Sequence, residues 1–261
     1  MAMVTDNGEP RGAGDAVVTY FQPFYNLRTG RLQGLEALAR RERTDRSDDE
    51  RLHAGFLAEA QERGRLREVD LQVLDEALGR FAHLHVPTDG DGDAPRLIVR
   101  VNVSRDTIAH PYLVADVTGA LERHGVAPDR LLVDIPTGLF RDLHAEDAAL
   151  DRLRRLQDLE ISFCLDGFTA KDLDLLPAAA AVPVDIITLH PSVLAGEDGP
   201  LTDLARAVQD EGLPVVAAGV ETPEQLTTVQ DLGFEWAQGF LLGKPAPAGA
   251  TLSHPVFLPE A

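Results

Sequence analysis

The sequence predicts an α/β fold, a TIM-like (β/α)8 barrel that begins with an antiparallel first strand, and three observations predict it. The chain of 261 residues, 44% of them apolar, can bury one sizeable core at a length common among single α/β barrels. From Ala16 onward, short apolar or alternating runs are followed by helical patterns, which is the order of repeated β/α units. The first two strand-like runs are separated only by Asn26 to Arg31. That connection is too short for a crossover helix, so these two strands form an antiparallel hairpin.

Residues 1–15 are rich in Gly and polar residues and are expected to be a disordered leader, with a single domain over 16–261. Strands are predicted at Val17 to Phe24 and Leu32 to Ala39, and helices at Asp48 to Arg63 and Glu68 to Leu84. Pro87 to Pro95 alternates acids with Gly and has the chemistry of an exposed loop; it lacks the later Glu and the flanking helices of a calcium loop. Then come strand Leu97 to Asn102, helix Tyr112 to His124, strand Leu131 to Ile135, helix Ala145 to Leu159 and strand Ser162 to Leu165. Gly167 to Asp174 reads as another loop and Ala178 to Pro183 as a third break. Strand Ile186 to Leu189, helix Pro200 to Glu211, strand Val215 to Ala218, helix Pro223 to Leu232 and strand Trp236 to Phe240 complete the pattern.

The formal net charge is -19, from 43 acidic and 24 basic residues, which argues against adhesion to nucleic acid or to an anionic bilayer. An anionic ligand then needs a locally positive site or a bound cation. No run approaches the ~20 apolar residues of a membrane span, and Met1 to Asp15 lacks the build of a signal peptide, so the expected location is cytoplasmic. The single cysteine, Cys164, lies in an apolar run and reads as a buried, inert thiol.

In a barrel, side chains at the C-terminal ends of strands converge on one mouth. Glu36, Asn102, Asp134 and Asp166 each fall near such an end and carry oxygens suited to Mg2+ or Mn2+. Taken alone, each reads as a helix cap or a surface ion pair. Their surroundings add to this: Phe21-Gln22-Pro23-Phe24, Gly34-Leu35-Glu36-Ala37-Leu38-Ala39-Arg40, Asn102-Val103-Ser104, Ala217 to Glu221, and Ala237-Gln238-Gly239-Phe240, with Lys244-Pro245 near the end. In this order, over about residues 17–250, they resemble the EAL domain family, whose active members linearise the bacterial messenger cyclic di-GMP.

The resemblance implies a barrel of EAL type and places Glu36, Asn102, Asp134 and Asp166 at the family's first metal position, a single site for one Mg2+, Mn2+ or Ca2+. Asp134 is the shorter acid where the family has Glu, and so stands about an ångström farther back. It also implies losses. Gly167 follows Asp166 where the family has a second acid, Thr188 stands at the place of a Lys, and Ala218 replaces the first Glu of Ala-Glu-Gly-Val-Glu. His190, two residues beyond Thr188, has the chemistry of a base, although its plain reading is a surface or packing histidine. On the ligand side, Gln22, Glu36, Leu38, Arg40, Glu221 and Gln238 match the family's dinucleotide contacts. Arg40 is the clearest physical case, because a planar guanidinium grips a phosphate bidentately.

The expected function is a catalytically inactive or severely impaired EAL-domain protein in bacterial signalling, a receptor for cyclic di-GMP or a related nucleotide that regulates a protein partner. The alternatives are a nucleotide-free interaction scaffold and a slow metal-dependent phosphodiesterase. The family's dimer face adjoins the loop after Asp166, rewritten here as Lys171-Asp172-Leu173-Asp174, and any homodimer would differ there.

Overall fold

The computed structural model describes residues 17–41, 57–84, 96–143, 146–181, 184–197 and 200–248. The leader at 1–15, the acidic run Pro87 to Pro95 and most of the helix expected from Asp48 lie outside the described residues; of that helix, residues 57–62 are described and are helical.

Eight strands close into a barrel in chain order: β1 (Val17–Asn26), β2 (Leu32–Arg41), β3 (Ile98–Asn102), β4 (Leu131–Pro136), β5 (Ser162–Phe168), β6 (Ile186–Leu189), β7 (Val215–Ala217) and β8 (Trp236–Gln238). β1 runs antiparallel to both neighbours, β2 and β8, while every other adjacent pair is parallel. The expected hairpin is present. Its turn is held by the Asn26 side chain, whose Oδ1 accepts from the amides of Arg28 at 3.1 Å and Thr29 at 3.0 Å.

Helices α1 (Leu66–Phe81), α2 (Arg105–Ala109), α3 (Leu113–His124), α4 (Thr137–Leu143), α5 (Asp147–Gln157), α6 (Leu176–Ala181), α7 (Pro191–Leu194), α8 (Leu201–Asp210) and α9 (Pro223–Asp231) follow the strands. Each long helix buries one stripe, in α1 Val69, Val73, Leu74, Ala77, Leu78 and Phe81, against the outside of the sheet. None of the helices among the described residues is long and apolar enough to cross a membrane.

Two sequence expectations need correction. Gly167 to Asp174 is not one loop: β5 continues to Phe168, and residues 170–175 form a 3-10 turn. The turn is fixed by a capping box in which Thr169 and Asp172 satisfy each other's backbone amides. Of the break expected over Ala178 to Pro183, residues 178–181 are instead the end of α6, and 182–183 lie outside the described residues.

Side-chain alternation divides the barrel into an outer core and a lumen. The outer core lies between sheet and helices. The lumen has a separate apolar floor made by Leu132, Cys164, Ile186 and Val216, with Ile98 and Trp236 packed against it. The polar side chains of the chamber described next stand above that floor, toward the C-terminal ends of the parallel strands.

Candidate functional site at the mouth of the barrel

Strand register determines which residues meet above the floor. Gln22 on β1 lies opposite Glu36 on β2, Glu36 beside Arg100 on β3, Asn102 beside Asp134 on β4, and Asp166 on β5 beside Thr188 on β6. These are neighbours on one face of the closed sheet, so residues far apart in sequence share one chamber.

At its centre is a residue the sequence reading passed over. Arg100 is 1% exposed, and its guanidinium reaches five strands. Its Nε donates to both oxygens of Asp134 at 3.2 and 3.1 Å, and Nη2 lies 3.0 Å from Asp134 Oδ2. Nη2 also donates to Thr188 Oγ1 at 3.0 Å and contacts Cys164 Sγ at 3.8 Å, while Nη1 donates to Gln238 Oε1 at 3.4 Å. The Phe24 ring from β1 stands 5.6 Å from the guanidinium carbon, a cation–π contact from the floor side. Asp166 Oδ1 is 3.8 Å from Nη2.

The signal for Arg100 was present in Ile98-Val99-Arg100-Val101-Asn102. A charge flanked by Val on both sides in a parallel strand, two residues before Asn102, points to the lumen on the same face as Asn102.

A second network ties β2, β3 and β8 together. Glu36 Oε1 accepts from Asn102 Nδ2 at 3.0 Å, and Oε2 accepts from Gln238 Nε2 at 2.6 Å. Gln238 therefore joins the two networks. Gly239 lets this corner form, because a Cβ there would come within 2.1 Å of the Val220 carbonyl oxygen.

Burial works against the charge of Arg100, but Asp134, Glu36 and Asp166 around it more than offset that and hold it protonated. Burial likewise raises the Asp134 carboxyl against the pull of Arg100, and pushes the Cys164 thiol well up. Asp166, with 35% of its side chain exposed, is also raised, first by burial and further by Glu36, with Arg100 opposing. Cys164 is thus a buried, protonated thiol, and the site contains no nucleophilic sulfur.

The expected ligand contacts line the rim. Leu38 and Arg40 continue the Glu36 face of β2 outward and are half-buried; Arg40 Nη1 donates to the Ala39 carbonyl at 2.9 Å. Gln22 Nε2 donates to the Gly243 carbonyl at 3.0 Å and so pins the closing segment that leads to Lys244 across β1. Glu221 is exposed just before α9, and its amide donates to Gln225 Oε1 at 2.8 Å.

Across the chamber, the three positions read as losses have different fates. Thr188 is buried and its hydroxyl is taken by Arg100; Ala218 presents a methyl; Gly167 forms an irregularity in β5 with φ of 76°, a left-handed backbone that favours glycine. The His190 ring caps α7, with Nδ1 2.6 Å from Ser192 Oγ and accepting from the Ser192 amide at 3.2 Å.

The EAL domain family model matches residues 11–245. A signalling protein of Caulobacter vibrioides is 30% identical over 245 residues, covering 91% of this chain and 28% of its own length. The bifunctional diguanylate cyclase/cyclic di-GMP phosphodiesterase MucR of Pseudomonas aeruginosa is 30% identical over 244 residues, covering 91% of this chain and 34% of its own length. This chain thus spans about a third or less of those relatives. A solved MucR phosphodiesterase in complex with cyclic di-GMP superposes with a TM-score of 0.75 at 26% identity, covering 90% of this chain and 93% of that one.

Proposed function

Because this chain belongs to the EAL domain family of cyclic di-GMP signalling, we propose that it acts as a catalytically silent receptor, binding cyclic di-GMP or a related nucleotide at the barrel mouth and regulating a protein partner. One observation carries the reading: the rim keeps its ligand-side groups while the groups that would do chemistry are absent or occupied. Cutting a phosphodiester needs a group to orient and deprotonate water, and positive charge where the leaving oxygen develops. Gly167 and Ala218 have no such groups, the Thr188 hydroxyl serves Arg100, and His190 Nδ1 accepts from the Ser192 amide in its own helix cap. Leu38, Arg40 and Glu221 remain around the opening, Gln22 and Gln238 lie buried just beneath it, and Arg40 supplies the fork for a phosphate.

Calorimetric titration with cyclic di-GMP, followed by chromatography of the mixture, tests this. Saturable binding without linear product is expected, with Arg40→Ala weakening affinity by about tenfold or more, as expected for loss of a charge-assisted contact. Linear product at a catalytic rate would place the protein among the phosphodiesterases instead. A second reading, a nucleotide-free interaction scaffold, is favoured by the excess of carboxylates over Arg100 in the chamber and by the net charge of -19. It predicts no heat and no product.

A further inference from the structure

We propose that Arg100 is the resident cation of this barrel: its guanidinium stands among the strand-end carboxylates where a divalent ion would otherwise stand, and it keeps such ions out of the mouth. The family reading above is needed only for the expectation that an ion belongs there.

The oxygens expected to share an ion are Glu36, Asn102, Asp134 and Asp166, and they do not fit one. Both Asp134 oxygens accept from Arg100, and the side chain is fully buried. Both Glu36 oxygens accept amide N–H groups, one from Asn102 and one from Gln238, so Asn102 meets Glu36 as a donor. Asp166 remains, 3.8 Å from a permanent positive charge. Among the described residues, no group of three or more His, Cys, Asp or Glu side chains is arranged to hold a metal. A divalent ion entering here would compete with N–H donors already bonded to two carboxylates and settle against a guanidinium.

Thr188 gives an independent reason. It occupies the place of a Lys by resemblance, and its Oγ1 lies 3.0 Å from Arg100 Nη2. A lysine ammonium at that strand position would meet the guanidinium, whereas the hydroxyl found there accepts from it: the charge enters from β3 and its acceptor from β6. A guanidinium differs from an ion in one decisive way. It has no exchangeable coordination position on which water becomes hydroxide.

Mn2+ titration followed by electron paramagnetic resonance decides the matter. Wild type and Asp166→Asn are expected to bind Mn2+ equally, through surface carboxylates alone. Arg100→Ser, which frees Asp134, Asp166 and the space between them, is expected to gain one Mn2+ per chain and to lose it again when combined with Asp166→Asn. A stoichiometric wild-type site abolished by Asp166→Asn overturns the proposal, as does a folded Arg100→Ser that gains nothing. If Arg100→Ser does not fold, the comparison of wild type with Asp166→Asn still gives one answer or the other. Cyclic di-GMP titration in chelator keeps this separate from the receptor reading. Binding that appears only with Mn2+ held at Asp166 overturns the proposal and leaves a receptor. Absence of nucleotide binding in every buffer overturns the receptor and leaves the Mn2+ result to judge Arg100.

Discussion

Two arginines in this barrel each gather aspartates, and their surroundings give them opposite weights. Arg100 and Asp134 are 1% and 0% exposed in the lumen, out of reach of bulk solvent. Arg141 on α4 reaches Asp174 Oδ2 at 2.6 Å and Asp172 Oδ1 at 3.1 Å with its side chain 41% exposed, tying α4 to the 3-10 turn after β5. The chemistry is the same in both clusters. What differs is the cost of removing one member: inside, a charge is stranded in a low dielectric, whereas outside, water takes the vacated place.

The largest expected effect follows directly. Asp134→Ala leaves the Arg100 guanidinium buried with its main partner gone, a change that costs about 3–5 kcal/mol and lowers Tm on the order of 10 °C. Thermal unfolding followed by circular dichroism checks it. Replacing both members, Arg100→Met with Asp134→Leu, is expected to recover part of the loss, because no buried charge is left unpaired although Thr188 Oγ1 and Gln238 Oε1 lose their donor. A single variant as stable as wild type would mean that the lumen is wetter than its burial indicates, and the contrast with Arg141 would collapse.

Next in size is Thr188→Val, nearly isosteric but without the oxygen that accepts from Arg100. One N–H of a buried cation then lacks a partner, at a cost of about 1–3 kcal/mol in chemical unfolding, and the loss should appear in the midpoint with the slope unchanged. A neutral result would show that Cys164 Sγ, which already lies 3.8 Å from the same Nη2, is acceptor enough for that N–H.

These side chains also show where sequence reading reached and where it stopped. The barrel was legible because its causes are local and periodic. The six-residue link from Asn26 to Arg31 forces a hairpin, and apolar runs alternating with amphipathic stretches order the remaining strands and helices. The capping box Thr169-Ala170-Lys171-Asp172 was written in the sequence as well, and went unread because Gly167 and the polar residues around it suggested only a loop. In the chamber, Glu36, Asn102, Asp134 and Asp166 were legible as strand-end oxygens; what each oxygen touches was not. That depends on register between strands dozens of residues apart, and on one charge between two valines at Arg100. The shortened Asp134 carried half of the message, since a recessed acid leaves room for a guanidinium above the floor.

Gly167→Asp probes the ground between the two clusters, because residue 167 follows Asp166 and precedes the capped turn held by Arg141. Space is available, since a Cβ there meets nothing nearer than His190 Cδ2 at 3.9 Å. The backbone is the obstacle: φ is 76°, and a side chain in the left-handed region costs about 1–2 kcal/mol, less for Asp than for most residues. A modest drop in Tm is expected, with no linear cyclic di-GMP product, because the added carboxylate does not supply the Lys and Glu that resemblance places at 188 and 218. Product formation by this single variant but not by wild type would show that one missing acid, rather than the arrangement around Arg100, limits the chemistry of the site.

Arg141→Ala should have the smallest effect. The carboxylates of Asp172 and Asp174 hold the Arg141 guanidinium above its ordinary range, yet all three groups border water and ions screen them over about 10 Å at 0.1 M salt. Asp172 also keeps a second role that the arginine does not supply: its Oδ2 accepts from the Thr169 amide at 3.0 Å and from the Thr169 hydroxyl at 2.8 Å. The turn therefore keeps its own cap when Arg141 is gone. Tm at physiological salt should stay within measurement error, and any loss seen at low ionic strength should vanish as salt is added. A salt-independent loss would mean that the Arg141 cluster holds the turn mechanically, and exposure would then not be what separates the two arginines.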